Sequence, residues 1–481
     1  MRIPLDREDG QPLYRQISGY IRRGILAGSL VPESRLPAVR ALSRDLGVNR
    51  ITVETAYAEL EAEGLVDMRV GSGTFVLPSY VQSEICPARR IWPDWQGMLR
   101  EHMSGLSFPD LESDPEVVRF NSGLGDSRFF PMDEFRKVMR DVLRRQGTEA
   151  LESGDVRGHE PLRRNIASIL GSQGVQVGAG NILITSGTQQ SLSFAAIALL
   201  RAGDTVVVES PTYAGALDMF RSMGVKLAPV PMDEHGMQVG RLEALFREHA
   251  PKLIYTIPNF QNPTGACMSG PRRRRLVALA AQHGIPVFED DYVGDLRYEG
   301  LAQPTLKSLD TCGNVLYGSS FSKMLMPGLR VGYLVADGPA YDALAEIKRV
   351  HSLATSSLLQ CAVHEYVSVG RYAAYLRKSR QIYRVRRDAM LEGAKRHLSG
   401  VKIAPCTGGL ACWMELPEGV SCTELRKYAL KERVDFTPGP RVYPYPAQGE
   451  SFMRLNFAAH SRETTGEGLQ RLGRAMEKAA G

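Results

Sequence analysis

A chain of 481 residues exceeds one ordinary domain and is long enough for two or three well-packed ones. Hydrophobic content of 43% and charged content of 23% are those of a globular protein and exclude wholesale disorder. The longest strongly apolar run, Leu192 to Leu200, is too short to span a bilayer, and Met1 to Gly10 has no signal-type apolar stretch, so a cytosolic protein is expected. Seven cysteines without a C-x-x-C pair argue against a disulfide framework and a cysteine-rich metal site.

The first segment predicts three helices and a hairpin. Pro12 to Ala27 carries Leu13, Ile17, Ile21 and Ile25 on one face, and Gly28-Ser29 stops it. A second helix spans about Ala38 to Leu46, with Leu42 and Leu46 inward and Arg40 and Arg44 outward. After Gly47, Asn49 can cap a third helix running to Glu63, whose Val53, Ala56, Tyr57 and Leu60 share one face while Asn49, Arg50, Thr52 and Thr55 fall largely outside it. Leu65 to Asp67 and Thr74 to Leu77 read as short strands around Val70-Gly71-Ser72-Gly73. This is a winged helix-turn-helix pattern, in which the third helix leads into the major groove with its N-terminal polar residues.

Leu36 to Ser43, Gly47 to Val53 and Gly71 to Val76 resemble, in order and spacing, the GntR family of bacterial transcription regulators. The resemblance implies that Arg40, Asn49, Arg50 and Thr52 touch DNA and that Gly71 lets the wing approach the phosphates. Net charge adds nothing here: residues 1–78 hold ten arginines and ten acids, so the claim rests on where the arginines sit. Ile51 is apolar within this polar end and leaves the base preference open. A helical protein-interaction module with solvated arginines is the competing reading.

Residues 78–115 are punctuated by Pro78, Pro87, Pro93, Pro109 and Pro115 and read as a linker that packs partly on its neighbour through Trp92 and Trp95, with a short helix near Gln96 to Met103. From Val117 onward, helical patterns alternate with short apolar runs at Ile182–Thr185, Thr205–Glu209, Lys252–Thr256, Pro286–Glu289, Val315–Tyr317 and Gly332–Val335. Such alternation predicts an α/β fold with a mostly parallel sheet, covered on both faces and binding ligands beyond the carboxyl ends of its strands.

Five motifs follow these runs. Ser320, Ser322 and Lys323 stand ahead of Arg330, a spacing that puts hydroxyls and a cation beside an amine; a lysine attacks an aldehyde only once it can lose its proton. Phe288 to Tyr292 carries Asp290 and Asp291; a metal site there lacks a histidine or a third suitably spaced carboxylate. Asn262-Pro263-Thr264-Gly265 is by itself an ordinary turn. Thr185 to Gln190 passes from strand through glycine into a helix, which aims N–H groups at an anion. Arg454, in Met453 to Phe457, can grip a carboxylate bidentately.

Together these motifs resemble the fold-type I aminotransferases across residues 116–481, which implies a large domain with a smaller C-terminal α+β subdomain and a pyridoxal 5'-phosphate cofactor. By that resemblance Lys323 would hold the cofactor as a Schiff base and Asp290 would pair with its pyridinium nitrogen, keeping the ring an electron sink. Asn262 and Tyr292 would bond the ring's phenolic oxygen, and Tyr213 would stack on the ring. Gly187, Thr188, Gln189, Ser320, Ser322 and Arg330 would hold the phosphate, and Arg454 the carboxylate of an amino acid. One departure stands out: where the family often has tyrosine-glycine-aspartate-proline, this chain has Ser153-Gly154-Asp155-Val156, with Arg157 next, and the tyrosine that reaches the partner's phosphate is missing.

The order of a winged helix at 1–77, a linker at 78–115 and an aminotransferase-like domain at 116–481 resembles the MocR subfamily of regulators. This implies a homodimer that binds operator DNA and senses an amino acid, an amine or the cofactor itself. A working aminotransferase with an attached DNA-binding domain remains the alternative, because every residue needed for transamination is present. The loops Gly123 to Phe130 and Thr437 to Tyr445 are expected to form pocket walls.

Overall fold

A computed structural model describes residues 1, 3–7, 9–69, 72–77, 114 and 116–480. The chain divides into two compact units, Met1–Glu101 and His102–Gly481. Gly71, Trp92, Trp95 and the helix expected near Gln96 lie outside the described residues.

In the first unit α1 (Leu13–Leu26), α2 (Val39–Leu46) and α3 (Arg50–Ala62) precede strands β1 (Val66–Arg69) and β2 (Gly73–Val76). Ile17, Ile21, Ile25, Val53, Ala56, Tyr57 and Leu60, the residues whose spacing marks the apolar faces, are fully buried in one core. The strands pair antiparallel from Val66 with Val76 to Arg69 with Gly73, so the hairpin runs further towards its tip than the apolar pattern alone indicates. The guanidinium of Arg69 lies 5.0 Å from the Phe75 ring centre and covers this extension.

The second unit begins with β3 (Val118–Arg119) and then alternates strands and helices. Its strands are β4 (Ile182–Thr185), β5 (Thr205–Ser210), β6 (Lys226–Asp233), β7 (Gly236–Met237), β8 (Leu253–Thr256), β9 (Val287–Asp290), β10 (Val315–Ser320) and β11 (Gly332–Val335). They form one sheet in the order β4-β11-β10-β9-β8-β5-β6-β7. Strands β5, β6, β8, β9 and β10 pair parallel, while β11 runs antiparallel to both β10 and β4. Val206 and Val208 face the helices Thr188–Leu199 and Ala214–Ser222, whereas Val207 faces Leu242–His249 and Gly270–His283. Both faces are therefore covered, and the strands can be apolar throughout.

One long strand escaped the apolar pattern. β6 contains Pro229 and Pro231, residues that usually argue against a strand. Lys226 donates its N–H to Asp204 across the junction with β5, so the donor-less proline nitrogens, out of phase with it, turn to the other side, where only the two-residue β7 follows. The prolines thus remove no bond to β5.

A second, smaller sheet comprises β12 (Lys402–Ile403), β13 (Ala411–Glu415), β15 (Thr437–Pro438) and β16 (Phe452–Asn456), paired antiparallel in the order β12-β13-β16-β15. Between them β14 (Val434–Asp435) pairs parallel with β3. This is the expected C-terminal α+β subdomain, packed with the helices Arg371–His397, Cys422–Lys431 and Arg462–Ala480. Among the described residues no helix is long and apolar enough to cross a membrane.

Candidate functional site

The loops that leave the carboxyl ends of β4, β5, β8, β9 and β10 converge on one cavity of about 790 Å³. Gly187, Thr188, Gln189, Tyr213, Asn262, Asp290, Tyr292, Ser320, Ser322, Lys323, Arg330 and Arg454 all line it. Residues as far apart as Gly187 and Lys323 meet because parallel strands deliver their ends to one edge of the sheet, and Arg454 joins them from β16 of the smaller sheet.

Lys323 sits in the single-turn helix Phe321–Met324 that follows β10 directly. Its Nζ donates to the Gly123 carbonyl at 2.9 Å and meets no carboxylate. Burial, with the positive charges of Arg454 and Arg330, lowers its pKa from 10.5 to about 8. Asp290 closes β9 and is almost fully buried. Tyr255 donates to its Oδ2 at 2.8 Å, while Oδ1 has no hydrogen-bond partner among the described residues. Burial raises the pKa of this carboxyl to about 7, the Tyr255 hydrogen bond opposing the rise and Asp291 adding to it. Asp291 points elsewhere, as the next residue of a strand must; it accepts from Asn259 at 3.1 Å and Tyr317 at 2.7 Å within the body of the domain. The adjacent pair of acids is therefore no joint site.

The anion-binding side is built from backbone and hydroxyls. Gly187 caps the helix Thr188–Leu199 with φ of +133°, a conformation open to glycine alone, and a Cβ there would stand 3.0 Å from the Arg330 guanidinium. Ser320 accepts from the Ser322 N–H at 3.0 Å, and the buried Ser322 hydroxyl has no partner among the described residues. Across the cavity Arg454 donates to Asn262 Oδ1 at 2.7 Å and to the Asn121 and Ser122 carbonyls at 3.2 and 3.3 Å. All of these acceptors are neutral, so its buried positive charge has no counter-ion in this set. The Tyr292 hydroxyl donates to the Phe260 carbonyl at 3.1 Å, and Gln189 donates to the Gly215 carbonyl at 3.2 Å.

Several contributors had no sequence motif. The segment Asn121–Gly123 lines the cavity and is held by Asn456, whose Nδ2 donates to Ser122 O at 2.8 Å and to Leu124 O at 3.1 Å. Arg454 and Asn456, two apart on β16, project to one face, which is the one signal that could have joined them. Glu209, fully buried, accepts from Thr256 at 2.5 Å and Gln261 at 3.0 Å and ties β5 to the loop carrying Asn262. Of the loop Gly123 to Phe130 only Gly123 lines the cavity, because Asp126 turns inward to Arg386 at 2.6 Å; of Thr437 to Tyr445, Thr437, Pro438, Pro440, Arg441 and Val442 line it, whereas Gly439 and Tyr443 to Tyr445 do not. Ser153 and Arg157 are exposed and do not line it.

The first unit carries a second candidate surface, the N-terminal end of α3. Asn49 caps the helix by accepting from the Ile51 N–H at 3.1 Å. Arg40, Asn49, Arg50 and Ile51 are exposed, and Thr52 is half-buried. Four acids of this unit are engaged elsewhere: Glu63 pairs with Arg22 at 2.7 Å, Glu59 accepts from Ser18 at 2.5 Å, Glu61 accepts from the Met68 N–H at 2.8 Å, and Asp67 pairs with Arg69 at 2.7 Å. Neither Arg40 nor Arg50 forms an ion pair among the described residues. This end of the helix thus presents exposed arginines that are not tied up in ion pairs among the described residues.

Residues 13–76 match the model of the bacterial regulatory proteins of the gntR family, and residues 116–472 match that of aminotransferase class I and II. The HTH-type transcriptional regulator YdfD of Bacillus subtilis is 32% identical over 98% of this chain and 97% of its own. "Probable rhizopine catabolism regulatory protein MocR" of Rhizobium meliloti is 31% identical over 98% of this chain and 95% of its own. Among solved structures, LysN, the α-aminoadipate aminotransferase of Thermus thermophilus complexed with N-(5'-phosphopyridoxyl)-L-leucine, superposes with a TM-score of 0.74 at 33% identity, covering 80% of this chain and 98% of that one. A gntR-type winged helix ahead of an aminotransferase fold, matched end to end by such relatives, places the chain in the MocR subfamily of GntR-type transcription regulators.

Proposed function

We propose that this protein is a DNA-binding transcriptional regulator whose cavity holds pyridoxal 5'-phosphate and senses an amino acid or amine, or the cofactor alone. The observation that carries the cofactor assignment is the pairing of orphaned groups. A buried amine with a lowered pKa shares one cavity with an Asp290 oxygen and a Ser322 hydroxyl that have no partner among the described residues. These are the donors and acceptors that an aldehyde, a pyridine nitrogen and a phosphate would require. Bound there, the cofactor would supply an electrophilic aldehyde carbon and a protonated ring able to accept electrons.

The chain's own groups do the rest. Lys323 would hold the aldehyde end, its buried amine being unprotonated in part near neutrality. The free Asp290 oxygen would accept the ring N–H, and Tyr255 fixes which oxygen is free. Gly187, Thr188, Ser320, Ser322 and Arg330 would bind the dianion, and Arg454 the carboxylate of an amino acid. Residues 1–77 would carry the DNA contacts through Arg40, Asn49, Arg50, Thr52 and Gly71, residues 78–115 the connection and residues 116–481 the sensor, assembled as a homodimer.

A ligand changes transcription only if it binds one arrangement of the protein more tightly than another. Titrating the purified full chain onto duplex from upstream of its own gene, with and without added amines, tests the reading. Sequence-selective, salt-sensitive binding is expected, together with a visible absorption band that Lys323→Ala abolishes. Loss of either half removes the corresponding half of the proposal. Retention of Lys323, Asp290 and Arg454 around one cavity also supports a second reading, a catalytically active aminotransferase. Steady many-cycle turnover with amino donors and 2-oxo acids would favour that reading over a dedicated sensor.

A further inference from the structure

The recognition surface contains one side chain that the polar readers do not account for. Ile51 lies in the first turn of α3 and is 67% exposed, whereas Val53, Ala56, Tyr57 and Leu60 of the same helix are completely buried. Scattered exposed apolar residues are ordinary. This one is flanked by exposed Asn49 and Arg50 at the N-terminal end of the helix. Its neighbours also have less to offer a base than their types suggest. Reading adenine bidentately takes both the oxygen and the nitrogen of a carboxamide. The Asn49 oxygen is turned back to the Ile51 N–H at 3.1 Å, which orients its carboxamide along its own helix end. Thr55 has committed its hydroxyl hydrogen to the Ile51 carbonyl at 2.8 Å and can only accept.

We infer that Ile51 is a specificity-determining residue that packs against the C5 methyl group of a thymine in the major groove. Thymine is the one base that presents an apolar group there, and apolar contact with it is a recognised form of readout. Arg40 and Arg50, which form no ion pair among the described residues, supply the attraction for phosphates that would hold an apolar side chain against the base edges. Exposed arginines beside Ile51 favour duplex DNA over an apolar partner protein at this spot. The inference rests on the DNA-binding reading above and adds to it a base identity at one position of each half-site.

The test removes the methyl group from the DNA. Full-length protein is first used to select duplexes from a randomised library. Each thymine of a selected duplex is then replaced singly by deoxyuridine, which lacks only that methyl. Wild-type protein should lose about three- to fivefold in affinity at one thymine per half-site, the factor expected for burying a single methyl-sized group. Ile51→Ala should bind the parent duplex more weakly and no longer distinguish thymine from uracil there, while Ile51→Val retains part of the discrimination. A thermal melt of each variant separates this from unfolding, because an exposed side chain contributes little to the core. Indifference of the wild type to every substitution, a selected site without thymine at a contacted position, or unchanged discrimination in Ile51→Ala overturns the inference while DNA binding stands. Failure to enrich any sequence overturns the DNA-binding reading and the inference together.

Discussion

Burial moves the Lys323 amine down and the Asp290 carboxyl up, in each case towards the uncharged form. For Lys323 the consequence is kinetic. With a pKa of about 8, about a tenth of the amine is unprotonated at pH 7, against roughly one part in three thousand for an ordinary lysine. Loading of apoprotein with pyridoxal 5'-phosphate, followed by visible absorption, should accelerate with pH up to about 8 and then level off. A rate still climbing towards pH 10 would show an unperturbed amine. Arg454 offers a second test. Its buried guanidinium faces only neutral acceptors, so a ligand carboxylate should gain about 1.5–3 kcal/mol from charged hydrogen bonds. Arg454→Ala should weaken spectral titrations with L-amino acids by one to two orders of magnitude. The matching decarboxylated amines should be affected far less, and equal losses for both would assign Arg454 a packing role.

Two junctions between strand, turn and helix govern the sites. At Gly187, an alanine would have to adopt φ of +133° and push against Arg330, costing on the order of 1–3 kcal/mol in strain. Gly187→Ala is therefore expected to lower cofactor affinity tenfold or more in equilibrium dialysis; an unchanged affinity would place the phosphate elsewhere. At the start of α3, Asn49 bonds the Ile51 N–H. Asn49→Ala should destabilise the first unit by about 1 kcal/mol, read by calorimetry as a fall in Tm of several degrees. The helices of this unit were legible because their apolar residues recur at helical spacing and have one core to fill, and the outcome matches at Ile17, Ile21, Val53 and Leu60. Strand β6 was illegible because Pro229 and Pro231 contradict local strand propensity, and only their facing away from β5, towards the two-residue β7, makes them harmless.

Sensing requires that the cavity and the DNA surface share a free-energy difference, and such coupling is reciprocal. If an amine tightens or loosens operator binding by some factor, the operator must change the amine's affinity by the same factor, about 5- to 150-fold for 1–3 kcal/mol. Measuring both with the full chain, by DNA titration and by absorbance titration, checks this equality; unequal factors would mean that the two sites are not linked by one equilibrium. The residues proposed as aldehyde-binding amine, pyridinium partner, phosphate cradle and carboxylate clamp could all be picked out along the chain and line one cavity, and the winged helix could be read as well. Their motifs are local, each needing a particular chemistry at the end of one strand. What no local pattern contained was the set of partners brought in from elsewhere. The Gly123 carbonyl on Lys323, Tyr255 on Asp290, Asn456 holding the loop beside Arg454, and the pairing of Glu63 with Arg22 all depend on the folded arrangement. Hydrogen-bond direction, burial and charge compensation depend on distances between segments far apart in the chain. Those distances exist only once the sheet has placed its strand ends side by side and the three helices have closed on their core.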